Sequence, residues 1–446
     1  MNLVTRKTTT LVENIHPMPQ NAFTVQIPII ESKEQDLRQL LAVVNDNSAD
    51  NAILSFSVFN NLHFARILLI EGPDHIKTYA SSLVLMANVD GSIADFIEQL
   101  VQENSAGLDL MLDMCQGYPN RKERSAQSRK NFLNDHQLPS QAFYINTMGR
   151  NSQQIKLESE LHDGLQYFLN GLAPGDFDSA QGLRNAVIDF VGKRPELAWA
   201  LASRARPSRL WQSLENLRFA GLVALGVLIV AWAWPLLMGW ILTLRKREFS
   251  DDQDEHRPSL SRLNALRASE DIAAHNPFSA MGYLKPGSIR RMTVRALLAT
   301  AQVMLRHVFN RGDLAGVPQL GLDGVDTIHF ARWTLLDNDR RLLFTSNYDG
   351  SLESYMVDFI DKVAWGLNLI FSNGAGYPLT RWLVHEGARN EQRFKDYIAN
   401  HQLQNQVWFT NYPHLTAVNI ANNESIRDGL SGPMNEHQAS LWLKRL

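Results

Sequence analysis

The chain is 446 residues long, about a fifth of them charged, with a formal net charge of −3. That near-neutral balance removes any expectation of nucleic acid as a partner. A single cysteine, Cys115, excludes an internal disulfide and a cysteine-cluster metal site and fits a reducing compartment, and the length suits two domains.

The opening stretch, Met1–Gln20, is basic but holds no apolar run of the secretory kind, which implies cytosolic synthesis without export. Residues 1–51 read as a polar leader whose one element is a short amphipathic helix, Glu31–Asn45. A first unit then runs over residues 52–172. It opens on the apolar, β-rich LHFAR (Leu62–Arg66), continues through SLVLMAN as a hairpin partner to NVDGS (Asn88–Ser92), and passes a helical pattern to QGYP (Gln116–Pro119). Asp and Gly suit the turn, and Ser92 suits the cap of the helix that follows.

The same order returns over residues 326–432. IHFAR (Ile328–Arg332) leads to NYDGS (Asn347–Ser351), a helical pattern and AGYP (Ala375–Pro378), and Ser351 stands where Ser92 does. Asn88–Pro119 and Asn347–Pro378 align without a gap. Further on, FLNDHQLPSQAFYIN (Phe132–Asn146) lies opposite YIANHQLQNQVWFTN (Tyr397–Asn411), so that His136 pairs with His401. The chain is duplicated. The second copy adds TRWLVHEGA, which reads as an extra strand. Strands with two helical crossovers in units of this size suggest an α+β, ferredoxin-like module, and two such tandem repeats suggest a pseudo-symmetric α/β barrel. A tail, 433–446, follows the second copy.

Residues 173–325 form an insertion between the copies. At its centre Phe219–Leu244 carries no ionisable residue and spans roughly 39 Å as a helix, more than the ~30 Å of a bilayer core. A single crossing would hold the copies on opposite sides of the membrane. If they pair, the run enters and leaves by one face. Three features favour that arrangement: Pro235 in mid-run, Trp232, Trp234 and Trp240 within it, and basic residues on both flanks (Arg204, Arg206, Arg209 and Arg218 before, Arg245, Lys246 and Arg247 after). The competing reading is an ordinary bitopic helix. After an acidic link over 250–275, a basic amphipathic helix (286–311) suits either an anionic lipid surface or a solvated packing position. The location this implies is the cytoplasmic face of a membrane, the inner membrane in a bacterium, with lipid as a partner.

No phosphate-binding glycine loop, HExxH, G-x-S-x-G or CxxC occurs. The candidates are polar residues at repeated positions. His63 and His329 read either as core histidines supporting the pairing of the copies or as ligands or proton carriers. Arg66 and Arg332 lie three residues on, so strand alternation sends each to the face opposite its histidine. Asp90 and Asp349 suit the turn before a helix. His136 and His401 sit where an imidazole favours a helix C-terminus. Arg381 and His385 stand on the strand that the second copy alone has, and Tyr377, Asn347, Gln406 and Trp408 are expected to share its cavity.

This two-copy arrangement resembles the dimeric α/β-barrel superfamily, which includes dye-decolourising peroxidases and chlorite-dismutase-like proteins. The G-x-x-D-G motif of those peroxidases is matched in its aspartate and second glycine, not its first, by Ala87–Gly91 and Ser346–Gly350. The resemblance implies a haem-dependent, peroxidase-type oxidoreductase. His385, His401 or His329 would then hold the haem, and Asp349 with Arg332 or Arg381 would form the distal pair, beside Tyr377. The expected substrate is a hydrophobic or membrane-derived small molecule. The alternative is a non-catalytic, membrane-anchored module that binds lipid or a protein partner.

Overall fold

The structure, a computed structural model, describes residues 20–72, 81–146, 148–173, 175–203, 209–252, 254, 256–268, 270, 273–309 and 327–446. Arg204, Arg206 and Arg311 of the basic segments lie outside the described residues, as do residues 1–19 of the leader. The first half contains β1 (Gln20–Pro28), α1 (Glu34–Asp46), β2 (Leu62–Ile70), β3 (Ser82–Asp90), α2 (Ile93–Glu103), α3 (Ser105–Leu112), α4 (Ala126–Asp135), β4 (Ala142–Ile145), α5 (Ser152–Asn170) and α6 (Ala180–Gly192). Next come the long α7 (Arg209–Glu248) and the short α8 (Leu260–Arg267). The second half contains β5 (His275–Tyr283), α9 (Ser288–Met304), β6 (Ile328–Leu336), β7 (Arg341–Asp349), α10 (Leu352–Phe371), β8 (Thr380–Arg381), β9 (His385–Glu386), α11 (Glu391–His401), β10 (Asn405–Thr410), α12 (Ala417–Asp428) and α13 (Glu436–Leu443).

The fold is mixed α+β. Two antiparallel four-stranded sheets have the orders β1–β3–β2–β10 and β4–β6–β7–β5. All residues of β2, β3, β6 and β7 are buried, because helices cover one face of each sheet and the other sheet covers the second. That two-sided burial explains why these strands read as continuous apolar runs. Each buried Leu, Ile or Phe contributes about 1.5–3 kcal/mol. Ser92 and Ser351 cap α2 and α10 by accepting from the Asp95 and Ser354 N–H groups, as their sequence positions suggest.

The fourth strand of each sheet comes from the other half. β4 pairs with β6, and β10 pairs with β2. Before crossing, each touches the outer strand of its own half: Gln137 bridges Val25 on β1, and Gln402 bridges Ala280 on β5. The sheets are therefore joined at both edges.

Three expectations need revision. The leader contains β1, and the insertion contains β5, so each half begins one strand earlier than its sequence signal. TRWLVHEGA is a short hairpin of two two-residue strands rather than one strand, because Trp382 and Leu383 take positive φ (58° and 60°) and reverse the chain. α7 is continuous through Pro235.

Candidate functional site

His63 and His329 each sit at a β-bulge, where the register skips between Leu62 and Phe64 and between Ile328 and Phe330. An extra residue on one strand re-aims its side chain. Each histidine thus enters the layer between the sheets, where its alternation partner Arg66 or Arg332 also lies; simple alternation had placed them on opposite faces. His63 packs on Phe330 (5.1 Å between ring centroids) and His329 packs on Phe64 (5.4 Å).

Both histidines are held by the aspartate that ends the neighbouring strand. His63 Nε2 lies 2.9 Å from Asp90 Oδ1 and His329 Nε2 lies 2.7 Å from Asp349 Oδ1. The second carboxylate oxygen accepts a backbone N–H at a helix start, from Ser152 of α5 (2.8 Å) and from Ala417 of α12 (2.6 Å). The aspartates therefore act on distant helices rather than only on the turn beside them. A carboxylate there is favoured by the orphan N–H groups and the helix dipole.

The halves differ in one neighbour. Gln20, opposite Asp90, donates from its side-chain amide to the Arg150 carbonyl (2.8 Å). His275, opposite Asp349, places Nε2 against the Leu415 carbonyl and Nδ1 at 3.0 Å from Thr410 Oγ1. His275 Nε2 is also 3.6 Å from Asp349 Oδ1. His275, His329 and Asp349 are all buried, with their nearest ligating atoms within 4.8 Å of one another. Burial, reinforced by the nearby His329, pushes the His275 imidazole down to about 3, so it is neutral at ordinary pH. The sequence reading named His329 and Asp349 but missed His275. The signal was present: Gln20-Asn-Ala-Phe-Thr24 lies opposite His275-Asn-Pro-Phe-Ser279, which carries the repeat one strand upstream.

The two arginines cross between sheets. Arg66 donates to the Phe278 carbonyl (2.7 Å), Ser279 Oγ (2.9 Å), the Ser346 carbonyl (2.8 Å) and Asn347 Oδ1. Arg332 makes the matching set to the Phe23 carbonyl (2.7 Å), Thr24 Oγ1 (3.1 Å), the Ala87 carbonyl (2.9 Å) and Asn88 Oδ1 (3.0 Å). Burial pulls both guanidinium groups down to about 9, which leaves them charged at neutral pH.

The remaining candidates lie elsewhere. Tyr377 is buried and donates to Asn368 Oδ1 (2.8 Å). Arg381 and His385 face one another across the β8–β9 hairpin and line an open groove of about 700 Å³ with Arg389 and Arg393. His401 stacks on Tyr397, its Nδ1 2.8 Å from the Tyr397 carbonyl, beside an apolar space of about 30 Å³. Of the four residues expected to share a cavity, Asn347 and Trp408 meet (3.5 Å), Gln406 lines a separate surface groove, and Tyr377 belongs to the core under the second sheet.

Among the described residues, α7 is the one helix long and apolar enough to cross a membrane, and none of its most apolar window is buried. Near its start, Glu215 pairs with Arg306 (3.3 Å), and Phe219 stacks on His307 (5.2 Å). Near its end, Trp240 Nε1 donates to Thr293 Oγ1 (2.9 Å). The Glu248 carboxylate accepts from Thr380 Oγ1 (2.7 Å) and from the Trp382 and Leu383 N–H groups (3.0 and 2.7 Å). Between α7 and α9 runs an apolar groove of about 520 Å³, lined by Leu237, Ile241, Met292 and Leu297 and bounded by Arg245 and Trp382.

Comparison of the chain with protein-family models, curated proteins and solved structures finds no match.

Proposed function

We propose that this chain is a monotopic membrane protein that binds a hydrophobic or membrane-derived small molecule at the foot of α7. Its body would be a pseudo-symmetric barrel of two ferredoxin-like repeats that exchange their last strands. The observation carrying the reading is that both ends of α7 are tied to one body. The contacts run antiparallel: the start of α7 meets the turn Leu305–Phe309 that follows α9, and the end of α7 meets the start of α9. If α7 crossed the bilayer, α9 would have to enter it too. α9 carries Arg290, Arg291 and Arg295, and each buried charge would cost several kcal/mol in hydrocarbon. A helix about 10–12 Å across fits instead within one leaflet, about half of the ~30 Å core. Full submersion in that leaflet also accounts for a helix that is apolar on every side, since a helix riding at the surface needs a polar face. Basic residues at both ends, Arg209 and Arg218 and then Arg245–Arg247, favour the cytoplasmic leaflet.

Of the two parts open to the basic amphipathic helix, packing on the protein is the one its ion pairs support. Arg290 pairs with Asp251 (2.6 Å), Arg295 with Asp339 and Arg306 with Glu215 (3.3 Å). These cations are paired with carboxylates of the protein, while Met292 stands exposed in the groove beside α7.

The residues present do not fit a haem. Arg332 is committed to the opposite sheet, His329 is buried against Asp349 between the sheets, His385 lies on the surface hairpin, and the space beside His401, about 30 Å³, is far too small for a porphyrin. The non-catalytic binding reading is the better supported one.

The test is labelling from the cytosolic side. In a Cys115→Ala background, Leu210→Cys and Phe249→Cys, both at exposed positions, should react equally with a membrane-impermeant thiol reagent added to inverted vesicles. Opposite sidedness would overturn the monotopic reading.

A further inference from the structure

The two halves supply an internal comparison that singles out one cluster. In both, a histidine on a bulge, an aspartate and a helix N-terminus meet in the same way. In the first half the neighbouring position is filled by Gln20, whose amide satisfies the Arg150 carbonyl. In the second, His275 satisfies the corresponding Leu415 carbonyl. A glutamine amide is therefore enough for the architecture. What the imidazole adds is a nitrogen lone pair in a buried place, 3.6 Å from a carboxylate oxygen and beside a second imidazole.

We propose that His275 Nε2, His329 Nε2 and Asp349 Oδ1 form a binding site for one divalent first-row transition metal ion, with Zn²⁺ as the best fit. Two imidazoles and a carboxylate are a donor set such ions take, leaving a fourth position open. With bonds of about 2.0–2.2 Å in tetrahedral geometry, ligand atoms stand roughly 3.4 Å apart. The His275–Asp349 separation is already close to that, at 3.6 Å, while the His329–Asp349 contact, at 2.7 Å, must open slightly.

The outer partners suit the same role. Asp349 Oδ2 is fixed by the Ala417 N–H, so Oδ1 is the oxygen turned to the ion. On binding, His275 carries its proton on Nδ1 and donates it to Thr410 Oγ1, 3.0 Å away, which frees Nε2 from the Leu415 carbonyl. A ligand histidine that donates its other N–H to a fixed acceptor is the usual outer-shell pattern. Phe64 and Tyr412 pack on His275 (5.5 and 5.7 Å) and keep the site dry. The first half has no counterpart to His275, so one ion per chain is expected. The inference is independent of the membrane reading.

The experiment uses tag-free, full-length protein in detergent, stripped with a chelator and titrated with Zn²⁺ or Co²⁺. Wild type should take one equivalent of Zn²⁺ and give the visible d–d bands of a four- or five-coordinate Co²⁺ that Zn²⁺ displaces. His275→Gln, which copies the first half, should keep the metal-free melting temperature and bind at least about a hundredfold more weakly. His63→Gln, in the other half, should leave the stoichiometry at one. Absence of binding by wild type, or unchanged binding by His275→Gln, overturns the site and leaves His275 a structural histidine. If His275→Gln does not fold, contact-shifted imidazole resonances in the Co²⁺ form of wild type decide: two ring systems support the site, and none removes it.

Discussion

Arg66 and Arg332 show how single residues hold the two halves together. A guanidinium offers donors in one plane, and here four of them reach two strands of the opposite sheet at once. An ammonium cannot span that set. Arg66→Lys should therefore cost roughly 2–3 kcal/mol in chemical denaturation, with Arg332→Lys close to it, because a buried charge would be left under-satisfied. A loss near zero for either would mean that the crossing bonds do not join the sheets. The histidines give a second residue-scale test. Burial holds His401 below the ordinary imidazole range, and holds His275 lower still. An imidazole whose folded pKa is depressed takes a proton more readily once unfolded. Stability should be fully present above about pH 6.5 and fall as the pH drops below it. In chelator-treated protein the denaturation midpoint should hold steady down to about pH 6.5 and decline from there to about pH 5, and His401→Gln should flatten that decline. An unchanged slope would exclude His401 as a contributor.

At the scale of elements, the link between α7 and the β8–β9 hairpin is the most exposed to test. Glu248, 6% exposed, accepts two backbone N–H groups from a turn whose residues sit at positive φ. Glu248→Ala strands those donors, each at about 1–3 kcal/mol. The hairpin should open locally, and trypsin should cut after Arg381 several-fold faster while the global melting temperature moves little; cleavage at the wild-type rate would show that the turn holds itself. Filling the groove between α7 and α9 gives the complementary experiment. Ala296 of α9 also lines that groove, so Ala296→Trp should abolish crosslinking of a photoactivatable fatty acid to this region, and undiminished crosslinking would place the ligand elsewhere. The apolar run and the two serine caps were legible because each is a local signal: length without charge, and a hydroxyl just ahead of a helical pattern. The β8–β9 hairpin was not, since TRWLVHEGA has the composition of a strand and only the left-handed Trp382–Leu383 pair, held by a distant carboxylate, reverses it. The bulges at His63 and His329 were hidden for a similar reason, because strand alternation is the rule and one extra residue breaks it without changing composition.

For the molecule as a whole, repeated short identities revealed the duplication but not the exchange of strands. Periodicity tells a strand from a helix; it carries no information about which edge a strand joins, and β4 and β10 look alike in their two halves. The exchange has a consequence that can be measured. Each sheet lacks its fourth strand if the other half is absent, exposing the unpaired edges of β2 or β6 and the inter-sheet face that contains Phe64, Phe330 and the two arginines. An unpaired edge beside an open apolar face is a template for association. Residues 1–249 and 250–446 produced separately should therefore aggregate or self-pair as dimers, each copy lending its last strand to the other. Produced together, they should assemble into a one-to-one complex that survives purification and unfolds in one transition. A monomeric half that unfolds cooperatively on its own would show that the fourth strand can fold back within its own unit. The layer between the sheets, with both histidine–aspartate pairs, would then have to arise without the partner half.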